Sequence, residues 1–164
     1  MKSKKLFRIS ALIFTAFMAF VVISCEVEPV GNVTPTADLV FIISDDQGHP
    51  VEGAIVYIFP YKSSYDDYVA TNPDGNDLIT PSLPSENVAV SSAVGQATFI
   101  NFTLEGNSYA SGSTYFNRPN PLYFRIQATV GGSHITNDTD LFKITFNELE
   151  SGEHVVEEIP VALN

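Results

Sequence analysis

The chain holds a single cysteine, Cys25, so no disulfide can close within it and whatever folds must be held by its own apolar core. The position of that cysteine divides the chain. Ahead of it, Lys2, Lys4, Lys5 and Arg8 precede an uninterrupted weakly polar to apolar run from Ile9 to Ile23, the layout of a secretory signal. The run is about fifteen residues, shorter than the roughly 20 a helix needs to cross a hydrocarbon core. Glu26 and Glu28 follow it in place of a basic stop-transfer flank, so a permanent span is disfavoured on both counts.

The end of the run, Val22-Ile23-Ser24-Cys25, resembles the bacterial lipoprotein box. In that motif the chain is cut between the residues that stand here as Ser24 and Cys25, and the cysteine takes a diacylglyceryl group and becomes the new N-terminus. The resemblance implies a signal peptide over residues 1–24 that is removed, a lipidated Cys25, and a flexible linker over residues 25–37. An ordinary signal peptide and an uncleaved anchor are the alternatives. Two or three acyl chains, at about 0.8 kcal/mol per buried methylene, hold a protein stably on a membrane, so membrane contact is expected through lipid alone. Glu26 and Glu28 flank Val27 in a way that resembles the short acidic signals routing some Gram-negative lipoproteins to the outer face of the outer membrane. A solvated linker explains them equally well. The expected location is the outer membrane, on the cell surface ahead of the periplasmic face.

Cleavage would also change the charge balance. Of eight Lys and Arg residues, four leave with the signal, while all nineteen Asp and Glu residues stay, so the mature chain carries a formal charge of 4 − 19 = −15. Nucleic acid and a bare anionic bilayer would be repelled at long range, and neither is an expected partner. Solubility accounts for most of the acidity.

After Cys25 a Pro-containing polar stretch without periodicity reads as a tether of roughly 35 to 40 Å at about 3.1 Å per residue. The folded part is expected from Asp38 to Asn164. Leu39-Val40-Phe41-Ile42-Ile43 reads as a strand covered on both faces, and Asp45 to Pro50 as a turn. In the next strand, one parity places Ala54, Val56 and Ile58 on a core face. Tyr57 and Phe59 then face the other way and need a neighbouring segment to cover them. From Pro60 to Asn87 the spacing of Tyr61, Tyr65 and Tyr68, followed by Pro73, Pro81 and Pro84, predicts a short helical turn and then a long loop.

Val88-Ala89-Val90 and Ala97 to Ile100 read as paired strands around Gly95, and Glu105 to Pro121 as an irregular stretch carrying Tyr109 and Tyr115. Leu122 to Val130 alternates, and Gly131-Gly132 turns it into Ser133 to Thr136. Leu141 to Phe146 and Val155 to Leu163 complete the set, the last being an edge strand because it mixes acids with Pro160. No helix of ordinary length is expected after the signal. Roughly seven strands over about 125 residues make an all-β, single antiparallel β-sandwich.

Two elements carry a resemblance. Gly48-His49-Pro50-Val51-Glu52-Gly53-Ala54, preceded by Asp45, and Gly95-Gln96-Ala97-Thr98-Phe99 resemble the carboxypeptidase regulatory-like domains, which are transthyretin-like, immunoglobulin-type β-sandwiches of bacterial surface proteins. The resemblance implies a fold more than an activity. Hydrolases of the transthyretin-like group end in Tyr-Arg-Gly-Ser, whereas this chain ends Pro160-Val161-Ala162-Leu163-Asn164. The tyrosine and histidine pairs of ring-cleaving dioxygenases on related sandwiches have no match in His134 and His154. The first strand has no lysine for the isopeptide bond of pilin-like relatives.

Little in the chain points to catalysis. His49, His134 and His154 lack the close pairing of zinc ligands, and no Gly-x-Ser-x-Gly elbow is present. No cofactor is expected beyond the covalent lipid on Cys25. Calcium is the one ion with hard oxygen ligands in turns, at Asp74, Asn76 and Asp77, at Asp45-Asp46 and at Asp138 and Asp140, though no EF-hand spacing is completed and turn formation explains the same residues. The expected function is therefore non-enzymatic: binding or adhesion to a protein or glycan partner through end loops bearing Tyr61, Tyr65, Tyr68, Tyr109 and Tyr115. Those tyrosines could instead cap an open end of the sandwich. A structural subunit of an outer-membrane assembly is the alternative function, and an unrecognised enzyme a remote one.

Overall fold

The computed structural model describes residues 31–73, 81–137 and 140–163. Ser24 and Cys25, the proposed calcium ligands Asp74, Asn76 and Asp77, and Asp138 lie outside the described residues. The strands in chain order are β1 (Thr36–Ser44), β2 (Ile55–Phe59), β3 (Val88–Val90) and β4 (Gln96–Thr103). Next come β5 (Gly106–Ser111), β6 (Thr114–Pro119), β7 (Leu122–Val130) and β8 (Ser133–Thr136). The last are β9 (Lys143–Ile144), β10 (Leu149–Glu150) and β11 (His154–Ala162), and a helix, α1 (Lys62–Thr71), follows β2. No described helix is long and apolar enough to cross a membrane.

The architecture is an all-β sandwich. One sheet has the order β11-β1-β4, and the other runs β3-β2-β7-β8 with β9 beside the start of β7. Their facing sides share one apolar core. Leu39, Phe41 and Ile43 from β1 meet Val56 and Ile58 from β2 and Phe124 and Ile126 from β7, each at most 1% exposed. Phe41 sits at the centre, its ring edge-on to Phe124 at 5.0 Å and to Phe99 at 5.8 Å, the arrangement that ring quadrupoles favour. A third, smaller sheet, β10-β6-β5, extends from one side.

Several expectations need correction. The sandwich is not wholly antiparallel: β11 returns to lie parallel to β1, pairing Thr36 with His154 through to Ser44 with Ala162. This places the last strand at an edge, as its Pro160 and acids require. Among the described residues eleven strands form, rather than about seven, because the supposedly irregular 105–121 stretch contains the β5–β6 hairpin and because short pairings add β9 and β10. β1 is buried on one face only, with Ala37, Leu39, Phe41 and Ile43 inside and Ile42 outside. The 88–90 and 96–103 strands do not pair with each other; β3 joins β2 and β4 joins β1. Gly95 lies between them at φ +74°, where a Cβ would strike the Ile43 carbonyl oxygen.

The domain also begins earlier than Asp38. Ala37 is fully buried, the Pro35 carbonyl accepts the Leu104 N–H at 2.9 Å, and the Val33 carbonyl accepts the Gly152 N–H at 2.9 Å. The residues from 32 onward are therefore packed against the sandwich rather than part of the linker.

The predicted parity of β2 holds. Ala54, Val56 and Ile58 enter the core, while Tyr57 and Phe59 point to the opposite face, where α1 covers them with Tyr65 and Tyr68. This helix is ten residues long, longer than the short turn expected. Its own sequence is a weak helix signal, and burial of two tyrosines three residues apart on one face is what stabilises it. Asn72 ends it, its backbone N–H reaching the Tyr68 and Val69 carbonyls, and Pro73 follows.

Candidate functional site

At one end of the sandwich a β-bulge shapes the surface. Between Ala37–Phe102 and Leu39–Phe99 the register of β1 and β4 shifts, so that Ile100 and Asn101 together oppose Asp38. The extra residue is accommodated at Asn101, whose φ of 54° makes it the only non-glycine with positive φ among the described residues. Asparagine tolerates this left-handed conformation better than most side chains. The Asp38 carboxylate holds it by accepting the Asn101 N–H at 2.8 Å. Ile100, 72% exposed, already points outward by alternation with buried Ala97 and Phe99, and the bulge adds Asn101 to the same exposed side.

The bulged segment forms one wall of a cleft of about 520 Å³. Pro60 and Tyr61, leaving β2, and Pro84 with Glu86, on a 3-10 turn at Ser85–Asn87, form the opposite wall. Asn87 anchors that turn by donating to the Ile58 carbonyl at 2.9 Å. A second hollow of about 350 Å³ shares Thr103, Glu105 and Asn120 with the first and runs on to Thr34, Ser108 and Asn117. The two adjoin at these shared residues and together make up the trough. Among the described residues neither lining contains Lys, Arg or His.

The five tyrosines expected to act together are separated. Tyr61 lines the cleft and is 58% exposed. Tyr65 and Tyr68 are each 6% exposed, and they form the cap that was the other reading of this segment. Tyr65 stacks on Phe142 at 5.3 Å, and the Tyr68 hydroxyl accepts from Gln127 Nε2 at 2.8 Å and Asn72 Nδ2 at 3.1 Å. Burial pushes the Tyr57 and Tyr65 hydroxyls above the ordinary tyrosine value of 10.0, so both are neutral at physiological pH. Tyr115 is half-buried on the β5–β6 hairpin.

Tyr109 lies on the hairpin face opposite Ser108, because side chains alternate along a strand. There it stacks on Phe116 at 5.7 Å, beneath Arg118 at 5.0 Å, and Arg118 Nε donates to Glu148 at 2.9 Å. Hydrogen bonds from Tyr109 and Arg118 lower the Glu148 carboxyl below its usual range. This is an exposed structural cluster and lies outside the trough.

The histidines are likewise apart. His49 contacts Asp45 at 3.2 Å, His134 contacts Thr129 at 3.2 Å, and His154 contacts Thr36 at 2.9 Å. Asp45 closes its turn by accepting the N–H groups of His49 at 2.8 Å and Gln47 at 2.9 Å. Those bonds lower its pKa below 3.8, that from His49 most. Among the described residues no group of three or more His, Cys, Asp or Glu side chains is placed to hold a metal.

Sequence reasoning missed two features. Alternation along β7 sets Arg125 on the face away from the apolar core, yet it is 2% exposed, donating to the Pro73 carbonyl at 2.9 Å and the Asn137 carbonyl at 3.3 Å under α1. Nothing local marks it as buried; the covering helix does. The Ile100–Asn101 bulge was also missed, although Asn101 within a β-branched and aromatic run is the kind of residue that admits one. No family model matches the chain, and no curated protein and no solved structure matches it either.

Proposed function

We propose that this protein is a lipid-anchored, extracytoplasmic binding module of the outer membrane that faces the cell surface and acts by recognition or adhesion, not by catalysis. The lipoprotein-box resemblance at Cys25 supports the anchor, and the carboxypeptidase regulatory-like resemblance supports a surface role for the sandwich. The observation that carries the reading is the bulged cleft. Asn101 is held at a φ of 54°, which most side chains avoid, and its neighbour Ile100 is exposed in the same cleft as exposed Tyr61. Strained, exposed positions that line a concavity are where binding functions concentrate.

The test uses the whole chain on intact cells, with chemical cross-linking to its neighbours and Cys25→Ala as the unanchored control. Tyr61→Ala with Ile100→Ser should abolish the specific cross-links while leaving the melting temperature unchanged, since both side chains are exposed. Undiminished cross-linking in that variant would remove the cleft from the function. Protease shaving of intact cells should degrade the domain; survival of the domain would place it on the periplasmic face.

A structural role in a larger assembly is the second reading, favoured by the free edge of β11, where Val156 is 64% exposed. Strand addition would use that edge. Val156→Lys would block it without touching the cleft, so loss of cross-links in this variant alone would select the structural role.

A further inference from the structure

We propose that the trough binds a neutral oligosaccharide, with Tyr61 as the platform against which a sugar ring stacks; this deepens the binding reading and rests on it. Two hollows of about 520 and 350 Å³ share Thr103, Glu105 and Asn120 in their linings, and adjoining hollows suit neighbouring residues of a linear chain better than one compact metabolite.

Charge excludes anionic ligands. Among the described residues no cationic side chain lines either hollow, whereas Glu86 and Glu105 both do, within a mature chain of formal charge −15. A uronic acid, sulfated glycan or phosphorylated ligand would pay for desolvation with no counter-charge to meet it.

The polar groups match hydroxyls. The exposed side chains of Asn101 and Asn120 each offer donors and an acceptor, Thr103 offers a hydroxyl, and Glu105 offers two acceptor oxygens. A sugar hydroxyl donates and accepts at once, so adjacent amide and carboxylate groups can satisfy a vicinal pair. In the second hollow Ser108 already donates to Asn117 at 2.6 Å. That end is therefore the weaker subsite, and the main contacts lie nearer Tyr61.

The apolar surface matches the other half of a sugar. Tyr61 is 58% exposed at the start of α1, its backbone extended at φ −124°, and Ile100 is 72% exposed in the facing wall. A pyranose ring presents a face of C–H groups that packs on an aromatic ring, and a tyrosine, with two side-chain torsions, loses little entropy in meeting it. The walls need little rearrangement, since the Asn101 bulge is tied to Asp38 and the Pro84 turn to Ile58, and such preorganisation lowers the cost of binding.

The full chain, purified in detergent, would be titrated calorimetrically with neutral hexasaccharides of β-1,4-glucose, α-1,4-glucose, β-1,4-xylose and β-1,4-mannose. Hexagalacturonate and hexalysine serve as anionic and cationic probes. At least one neutral hexasaccharide should bind, with an affinity unchanged between about 50 and about 500 mM salt. Tyr61→Ala should weaken it about tenfold and Asn120→Ala about fivefold. Tyr109→Ala, on the opposite hairpin face, should leave it unchanged. The proposal is overturned if no neutral hexasaccharide binds, if binding survives Tyr61→Ala, if hexagalacturonate binds more tightly, or if only hexalysine binds in a salt-sensitive manner, which would make the cleft a basic-peptide site. Should the glycans fail while Tyr61→Ala with Ile100→Ser still abolishes cross-linking on cells, the sugar is wrong and the binding module stands. If both fail, both readings fall.

Discussion

Two buried clusters flank the β3-β2-β7-β8 sheet, and they are built from different chemistry. Between the sheets lie Leu39, Phe41, Ile43, Val56, Ile58, Phe124 and Ile126, apolar and almost wholly excluded from water. On the outer face lie Tyr57, Phe59, Tyr65 and Tyr68, with Phe142 and Tyr123 half-buried beside them. The inner cluster is directionless and needs only shape, whereas the outer one carries hydroxyls that must be bonded. The hydrogen bonds of Tyr68 with Asn72 and Gln127 therefore fix where α1 sits as well as holding it down. A core made by the sandwich alone can stabilise the domain without disulfides, and the helix is an addition fastened to it. The cleft wall at Pro60 and Tyr61 begins where that addition begins.

The sharpest way to break this comparison is to compare the centres of the two clusters. Phe41→Ala should cost about 3–5 kcal/mol and destabilise the whole domain, measured by chemical denaturation. Tyr65→Ala should cost about 3 kcal/mol in the helix region. Its effect should stay local: hydrogen exchange should speed up in α1 while β1 and β7 keep their protection. Equal loss of protection in both places would show one cooperative core instead of two.

Tyr68→Phe is subtler. It keeps the ring against Phe59 and removes the acceptor for Asn72 and Gln127, which should cost about 1–2 kcal/mol because Asn72 is buried. Calorimetric melting of the variant would measure it.

The smallest effect should come from alkali. The Tyr57 and Tyr65 hydroxyls have pKa values raised by burial above 10.0, so the fold favours their neutral forms. Their contribution is complete below pH 10 and is lost as the pH rises through the folded-state values. The inner cluster contains no titratable group, so hydrogen exchange at rising pH should loosen α1 before β1, after correction for the intrinsic rate.

Some of this was readable in advance. Ala54, Val56 and Ile58 alternating with Tyr57 and Phe59 revealed both a core face and the need for an outer cover, because side-chain direction in a strand follows from parity alone. Gly131-Gly132 specified the β7–β8 turn, since both residues take positive φ, at 59° and 88°. The β5–β6 hairpin was not readable. All six residues of β5 are exposed, and a strand that buries nothing leaves no alternation to detect. Of the five tyrosines expected in recognition loops, Tyr61 is the one that lines the cleft. Ile100 and Asn120 had no local mark, because only the fold brings them into the same cleft as Tyr61.

The sequence by itself therefore determined what is local: a lone cysteine at the end of an apolar run, an excess of acidic residues, the parity of β2 and β7, the turns, and an edge-like final strand. Tertiary structure alone decided the parallel pairing of β11 with β1, the burial of Arg125 beneath α1, and the trough. Each of these joins residues tens of positions apart, where the outcome depends on which surfaces remain to be covered after the sheets have paired. Local propensity contains no information about that choice.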